Sequence, residues 1–268
     1  MPIPKLLSIA GSDPSGGAGV QADLKTFSAL GCYGMAVITA LTAQNTTGVT
    51  RVSPIPPDMV AAQIDAIFAD IAVDAVKIGM LAEPAIAEAV AESLRRANAK
   101  NIVLDPVLAA TRGAALSEGG LPRAITKHLL PLVDLITPNL AEAAVLTGTS
   151  PARNADEMAA QARALVEQGA RAALVKGGHL DGEPVDVLFA NGGPRMFSGR
   201  RVDTRHAHGT GCALASAIAA NLAKGAPLLE AVAEAKAWLE QALAAGEALR
   251  LGAGAGPPNH FWELWGKP

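Results

Sequence analysis

The chain has 268 residues, a formal net charge of −3 and only 18% charged residues. Lysine and arginine form no block, so we expect no nucleic acid partner. Half of the residues are hydrophobic but only 3% are aromatic, which suits small aliphatic side chains packed between helices and a parallel sheet. We find no membrane-length apolar run, no signal-peptide pattern and no disulfide framework, which predicts a soluble protein of a reducing compartment.

Apolar strands and one-faced helical patterns alternate along the chain, as in a parallel α/β sheet with right-handed crossovers. The predicted strands are residues 5–10, 35–41, 75–78, 101–104, 132–136 and 172–175. The predicted helices are residues 20–30, 84–97, 140–146, 154–168 and 213–223, with another after Pro56 and a long one from residue 228. Residues 185–190 and 195–202 form a predicted hairpin at one sheet edge. No repeat or linker divides the chain, so residues 1–268 are predicted to be a single domain.

Two glycine-rich segments precede predicted helices. The first, residues 11–19, follows the first strand, which is where open α/β sheets bind ligands, although it matches neither a dinucleotide fingerprint nor a Walker A motif. The second is Gly209-Thr210-Gly211-Cys212. Free amides at a helix start attract anions, and a thiol placed there can ionise. The segment therefore indicates phosphoryl chemistry, or else an ordinary helix start with a buried cysteine.

Chemically useful side chains follow three of the predicted strands. Asp105 ends one strand, Asn139 and Glu142 lie just beyond the next, and Lys176 follows a third. Paired carboxylates can hold Mg²⁺, partly through its waters, and Mg²⁺ bridges nucleotide phosphates. Lys176 is placed for a phosphate oxygen. Each residue alone has a structural interpretation, but their coincidence predicts one shared site.

Gln44, near the end of the second strand, offers a donor and an acceptor from one amide. That pattern suits a heteroaromatic ring with an amino group beside a ring nitrogen, and a solvent-facing loop glutamine is the alternative. Residues 111–120 are small, polar and glycine-rich, which predicts a mobile surface loop. We expect either this loop or residues 11–19 to close over the substrate.

Together these segments resemble the hydroxymethylpyrimidine and phosphomethylpyrimidine kinases of thiamine biosynthesis, which are members of the ribokinase-like superfamily. The resemblance covers nearly the whole chain. Its motifs are Ala10-Gly11-Ser12-Asp13-Pro14-Ser15-Gly16-Gly17-Ala18-Gly19, Gln21-Ala22-Asp23-Leu24-Lys25-Thr26, Ala43-Gln44-Asn45-Thr46, Lys77-Ile78-Gly79-Met80-Leu81, Thr137-Pro138-Asn139-Leu140-Ala141-Glu142, Lys176-Gly177-Gly178-His179 and His208-Gly209-Thr210-Gly211-Cys212. Most ribokinase-like kinases have an aspartate at the position of Cys212, so the cysteine favours the pyrimidine enzymes over sugar kinases and most pyridoxal kinases.

The resemblance implies a three-layer α/β/α fold with a mostly parallel central sheet, use of ATP and Mg²⁺, and a cytoplasmic homodimer. It implies phosphorylation of 4-amino-5-hydroxymethyl-2-methylpyrimidine and then of its monophosphate. The implied substrate residues are Gln44, Gly11, Asp23 and Met80. The implied nucleotide and Mg²⁺ residues are Asp105, Asn139, Glu142, Lys176 and Thr210, with Asp105 and Glu142 nearest the metal. The implied catalytic residues are Lys176, the anion-hole glycines Gly209 and Gly211, and Cys212 as candidate general base.

Three alternatives stay open at this point. A pyridoxal kinase could use the same fold, a sensing module could bind the pyrimidine without turnover, and a hydrolase or transferase could use Cys212 as a nucleophile. The ionisation of Cys212 is also open, because the helix start favours the thiolate while nearby phosphates oppose it. No role is assigned to residues 180–205.

Overall fold

The structure is a computed structural model that describes residues 2–108, 119–178, 180 and 183–265. Within this part of the chain, nine strands form one sheet in the order β3-β2-β1-β4-β5-β6-β7-β8-β9. The strands are β1 (Lys5–Ser12), β2 (Tyr33–Asn45), β3 (Gly48–Pro54), β4 (Ala75–Ile78), β5 (Ile102–Leu104), β6 (Leu135–Ile136), β7 (Ala173–Val175), β8 (Val185–Ala190) and β9 (Gly193–Ser198). The pairings from β2 through β7 are parallel, whereas β3, β8 and β9 are antiparallel additions.

Helices cover both faces of the sheet, so the predicted three-layer α/β/α fold is confirmed. The α-helices are α1 (Gly19–Ala29), α2 (Pro57–Asp70), α3 (Pro84–Arg96), α4 (Leu121–Ala124), α5 (Leu140–Thr147), α6 (Ala155–Glu167), α7 (Thr210–Ala223) and α8 (Leu228–Ala244). Helices α1, α7 and α8 contribute to one apolar core, and α2 to α6 contribute to the other. Leu6 faces the first core and Leu7 the second, as the alternation of side chains along a strand requires.

The alanine-rich sequence of α7 explains how a core with few aromatics is filled. Its alanines 213, 215, 217, 219 and 220 are completely buried. Side chains this small let the helix lie close against the sheet, so the start of α7 is held near the strand ends.

Sequence analysis missed one segment and misjudged the length of another. Strand β3 was not predicted because it has no buried residue and therefore no apolar alternation. The predicted strand at 132–136 is shorter, because residues Leu130–Leu132 form a 3₁₀ turn that follows a π-helical turn at Ile125–Leu129. The predicted mobile loop at 111–120 lies almost wholly outside the described residues.

The C-terminal segment packs back on the body of the protein. Asn259 and His260 are buried, and the Asn259 amide donates to the Ala242 carbonyl at 2.8 Å. The Gly254 amide donates to Thr46 Oγ1 at 3.2 Å. The segment therefore joins the end of β2 to α8. None of the described helices is both long and apolar enough to cross a membrane.

Candidate active site

A cleft of about 870 Å³ opens where the parallel strands end. The carboxyl ends of parallel strands share one edge of a sheet, so residues distant in sequence meet there. The predicted residues that line the cleft are Gly11, Gln44, Met80, Asp105, Asn139, Glu142, Lys176, Gly209, Thr210, Gly211 and Cys212. The structure thus brings together every predicted site residue except Asp23.

A buried ion pair marks the centre of the cleft. Lys176 Nζ lies 2.8 Å from Asp105 Oδ1, and the two side chains are 16% and 4% exposed. Burial disfavours the Asp105 carboxylate, but the positive charges of Lys176 and Lys77 outweigh it and lower the pKa of Asp105. Burial likewise disfavours the Lys176 ammonium, but Asp105 and Glu142 raise its pKa. Both groups are therefore charged, and they are available to a phosphate or a metal ion.

Asn139 and Glu142 begin helix α5 with a reciprocal capping box. Asn139 Oδ1 accepts the Glu142 amide at 2.9 Å, and Glu142 Oε2 accepts the Asn139 amide at 2.8 Å. Burial raises the pKa of Glu142 to about 7, with nearby Asp105 adding to the rise and Lys176 opposing it. Near neutral pH this carboxyl is thus only partly ionised and lacks a sufficient positive partner.

The two carboxylates fit a divalent cation that keeps other ligands. Asp105 and Glu142 are hard oxygen donors beside one cleft, as Mg²⁺ prefers. Over the part of the chain that the structure describes, no three His, Cys, Asp or Glu side chains come close enough to hold a metal by themselves. A metal ion at Asp105 and Glu142 would therefore take its remaining ligands from water and phosphate.

The glycines at the start of α7 are required by close contacts. Gly209 has a φ of +75°, and a Cβ there would lie 1.9 Å from the Gly17 carbonyl oxygen. A Cβ at Gly211 would lie 3.1 Å from Lys176 Nζ and 3.5 Å from Asp105 Oδ2. Glycine thus lets the start of α7 approach both the glycine-rich loop and the ion pair, at the segment where an anion site is predicted.

Cys212 follows this anion site, but its thiol is held protonated. Burial raises the pKa of Cys212 to about 11, Lys77 opposes the rise, and Asp105 and Asp23 add to it. In the free protein, desolvation therefore favours the neutral thiol at neutral pH. The general-base role implied by the resemblance is disfavoured, because a neutral thiol is a poor proton acceptor.

The structure does not place Asp23 in the cleft, where the resemblance implies a contact with substrate. Its side chain has no exposed area and accepts from Lys77 Nζ at 2.9 and 3.0 Å. Ser8 Oγ and Ser216 Oγ also donate to it, at 2.6 and 2.7 Å. Asp23 therefore joins α1 to β1, β4 and α7 beneath the cleft. The signal in the sequence was Lys77, a cation inside an apolar strand that requires a buried counter-charge.

Two residues of the site were not singled out from sequence, Asp13 and His208. Asp13 accepts from the Ser15 amide and hydroxyl and from the Ala18 amide, at 2.7 to 2.9 Å, and so shapes the glycine-rich loop. His208 Nε2 lies 2.9 Å from Asp13 Oδ2 and 3.1 Å from Gln44 Nε2. Burial disfavours the Asp13 carboxylate, but hydrogen bonds from His208 and Ser15 lower its pKa. An aspartate three residues before a glycine pair was the available signal for a side-chain-supported turn.

The other end of the cleft is apolar, with charged residues at its margin. Its lining residues there include Val202, Leu214, Leu239 and Leu243. Lys236 of α8 pairs with Asp186 of β8, and Asp186 Oδ1 also accepts the Gly177 amide at 2.9 Å. Leu239 and Leu243 lie on the apolar face of helix α8 that also packs on the core. Periodicity cannot distinguish a core face from a cleft wall.

Helices cover both faces of the parallel sheet, and its carboxyl edge carries two carboxylates, a lysine and the glycines at the start of α7. This arrangement defines a ribokinase-like small-molecule kinase. The particular family follows from sequence, because the profile of the phosphomethylpyrimidine kinase family matches residues 13–259. The chain belongs to that family.

Curated relatives and solved structures agree with this assignment. The chain is 54% identical over 261 residues to a hydroxymethylpyrimidine/phosphomethylpyrimidine kinase of Rhizobium meliloti, with 97% of each chain covered. It is 54% identical to the Salmonella typhimurium enzyme of the same name, over 97% of this chain and 98% of the relative. A solved phosphomethylpyrimidine kinase from Clostridium difficile has 42% identity and a TM-score of 0.79, over 90% of this chain and 99% of that one. The Staphylococcus aureus pyridoxal kinase in complex with AMP-PCP and pyridoxal has 33% identity and a TM-score of 0.89, over 98% of this chain and 96% of that one.

Proposed function

We propose that the protein transfers a phosphoryl group from ATP to the hydroxymethyl group of 4-amino-5-hydroxymethyl-2-methylpyrimidine, and then phosphorylates the monophosphate to the diphosphate. The observation that carries the proposal is that Gln44 shares one cleft with Asp105, Lys176 and the start of α7. An amide for an aminopyrimidine edge thus faces a site built for anions. The single-domain organisation, the homodimer and the cytoplasmic location are further parts of this proposal.

The two ends of the cleft suit the two substrates. The apolar end at Val202, Leu214 and Leu239 suits a flat purine, and the start of α7 suits the phosphates. Gly11 and Met80 line the same cleft as Gln44 and would contact the pyrimidine ring. In-line transfer then takes place between these ends, where positioning and charge stabilisation provide most of the rate.

Charge that develops on the transferred group would be received by the chain's own donors. Gly211 lies against the Asp105–Lys176 pair, and Gly209 and Thr210 line the same cleft. When bound, Mg²⁺ would neutralise phosphate charge from a position near Asp105 and Glu142. Asn139 holds the Glu142 carboxylate in place through the capping box.

Within this proposal, Cys212 acts as a neutral thiol that orients the attacking hydroxyl. Proton loss from the alcohol is late in a loose transition state, so a strong base is not needed. We expect Cys212→Ala and Cys212→Ser to reduce kcat by less than about tenfold, whereas loss of a true general base costs about a hundredfold or more. Steady-state rates on the free alcohol test this, and a loss of a hundredfold in both variants would instead support the thiolate base.

Product analysis tests the main proposal. Phosphorus NMR with ATP, Mg²⁺ and the aminopyrimidine alcohol should show the monophosphate first and the diphosphate later. A sensing module would consume no ATP, and a cysteine-nucleophile enzyme would show a covalent adduct on Cys212 by mass spectrometry. Either result would refute the kinase assignment.

A second candidate, pyridoxal kinase activity, is favoured by one observation. The Staphylococcus aureus pyridoxal kinase matches this chain with a TM-score of 0.89. Parallel assays with pyridoxal and the aminopyrimidine alcohol separate the two functions. We expect the larger kcat/KM for the aminopyrimidine, and the reverse order would make pyridoxal the substrate.

A further inference from the structure

The carboxamide of Gln44 is contacted on both sides, by His208 and by Thr42. We propose that these two residues fix the carboxamide in one orientation, and that this orientation decides which ring edge is accepted and where the ring's hydroxymethyl group points. His208 and Thr42 would thus be positioning residues that determine specificity. This inference rests on the proposed function, because it concerns how that substrate is oriented.

His208 carries a hydrogen at Nε2, as its contact with Asp13 shows. Asp13 Oδ2 already accepts the Ala18 amide at 2.9 Å, and Asp13 Oδ1 accepts the Ser15 amide and hydroxyl. A carboxylate that accepts at both oxygens presents only lone pairs. His208 Nε2, which lies 2.9 Å from Asp13 Oδ2, must therefore carry a hydrogen. It is a donor whichever state the other ring nitrogen adopts.

The carboxamide of Gln44 faces this N–H donor of His208. The carboxamide nitrogen lies 3.1 Å from His208 Nε2, so two donors would face each other. A half-turn of the amide about its last side-chain bond exchanges nitrogen and oxygen while it keeps the contact. The oxygen then shares the His208 N–H with Asp13. His208 therefore selects the orientation in which the Gln44 oxygen faces it.

Thr42 selects the same orientation from the other side. Its hydroxyl donates to the Ser12 carbonyl at 2.8 Å and lies 3.3 Å from the carboxamide oxygen of Gln44. One hydroxyl proton cannot serve both acceptors fully. After the half-turn, the Gln44 nitrogen donates to Thr42 Oγ1 and the conflict disappears. Two independent neighbours thus require one and the same placement of the amide.

This placement leaves a defined edge for a ligand. A primary amide has two acceptor positions at oxygen and two hydrogens at nitrogen. His208 occupies one acceptor position of the oxygen, and Thr42 accepts one hydrogen of the nitrogen. The remaining acceptor position and the remaining hydrogen lie side by side. They match a ring that presents an amine beside an unprotonated ring nitrogen, as glutamine pairs with adenine. The amine then lies on the His208 side and the ring nitrogen on the Thr42 side.

The direction of the reacting group follows from the chemistry of the ring. In the proposed substrate the amine-bearing carbon lies between the ring nitrogen and the carbon that carries the hydroxymethyl group. With the ring nitrogen toward Thr42, the hydroxymethyl group extends past the His208 side, where Gly209 to Cys212 line the cleft. The reverse placement would turn it away from the anion site.

His208 is itself held firmly enough to act in this way. Its backbone amide donates to the Gly256 carbonyl at 3.0 Å, so the C-terminal segment fixes its main chain. Its ring packs on Gly17, where an added Cβ would lie 2.6 Å from Cδ2. The side chain is 12% exposed. It therefore has little freedom to follow an alternative placement of Gln44.

The experiment compares the aminopyrimidine alcohol with its oxo analogue, in which a carbonyl beside a ring N–H reverses the hydrogen-bond pattern. The variants are His208→Asn, which removes the donor from the Nε2 position, and His208→Gln, whose longer side chain returns an N–H near that position. Thr42→Val removes the acceptor on the other side. His128→Asn is the matched control, because His128 is half-buried beside Glu88 and does not line the cleft.

The readout is the ratio of kcat/KM for the two alcohols, together with KM for ATP. We expect His208→Asn and Thr42→Val to lower this ratio at least about tenfold, mainly through KM for the amino alcohol, with KM for ATP changed less than about twofold. His208→Gln should retain most of the discrimination.

An unchanged ratio in His208→Asn, or equal losses in the Asn and Gln variants, would overturn the inference while the kinase function stands. General loosening of the fold would lower kcat/KM for both alcohols in parallel and leave the ratio unchanged, which also overturns the inference. Absence of turnover by the wild-type protein on the amino alcohol would overturn the proposed function and this inference together.

Discussion

Replacement of Asp23 should destabilise the fold and leave substrate affinity almost unchanged. Asp23 and Lys77 have no exposed side-chain area, and Asp23 accepts four hydrogen bonds, two of them from Lys77. Asp23→Asn keeps the side-chain shape but leaves the Lys77 ammonium buried without its counter-charge. We expect the free energy of unfolding to fall by about 3–5 kcal/mol, as for other broken buried pairs.

A double-mutant cycle in urea measures this cost. Lys77→Met should be about as destabilising as Asp23→Asn, whereas the double variant should lose clearly less than the sum, with a coupling energy of about 3 kcal/mol. Asp65→Asn serves as the control, because Asp65 pairs with Arg96 at the surface and should change stability by less than about 1 kcal/mol.

Enzyme kinetics provide the result that would refute this reasoning. Asp23 does not line the cleft, so KM for the aminopyrimidine should stay within about threefold of wild type in folded Asp23→Asn. If Asp23→Asn instead left the unfolding midpoint unchanged and raised KM more than tenfold, the residue would contact substrate, as the family resemblance had implied.

Three more predictions follow from the site. The pKa of Glu142 is raised from 4.5 to about 7, so the stability that its protonated carboxyl contributes is present below pH 4.5 and is lost as the pH rises to 7. Relative to Glu142→Gln, the free energy of unfolding of the wild type in urea should fall by about 3 kcal/mol over that pH range. A constant difference between the two proteins would refute the raised pKa. In a Cys32→Ser background, the rate at which Cys212 reacts with iodoacetamide should rise about tenfold per pH unit up to about pH 11, because burial raises the pKa of its thiol to about 11. A rate that reaches a plateau near pH 8.5 would instead show an ordinary thiol. Gly209→Ala should lower both stability and kcat more than Gly225→Ala does. Both positions have a φ in the left-handed region, but only Gly209 lies against another backbone segment. Equal losses of unfolding free energy in the two variants would exclude the contact with Gly17 as the cause.

The amino-acid sequence by itself determined the layered fold and most of its elements. Apolar strands that end in turn residues, and helices with one apolar face, are local signals that need no knowledge of distant contacts. The same signals place Asp105, Glu142 and Lys176 at strand ends, and parallel pairing then brings such ends to one edge. Strand β3 lacked a buried face, so it could not be predicted in this way.

Tertiary structure alone decided the charge states and the neighbours within the site. The protonated thiol of Cys212, the half-ionised Glu142 and the buried pair of Asp23 with Lys77 all depend on desolvation and on charges from other strands. The sequence order gives neither quantity, because both follow from distances between segments that are far apart along the chain. The contact of His208 with Gln44 joins residues separated by 164 positions, and only the folded chain brings them within hydrogen-bonding distance.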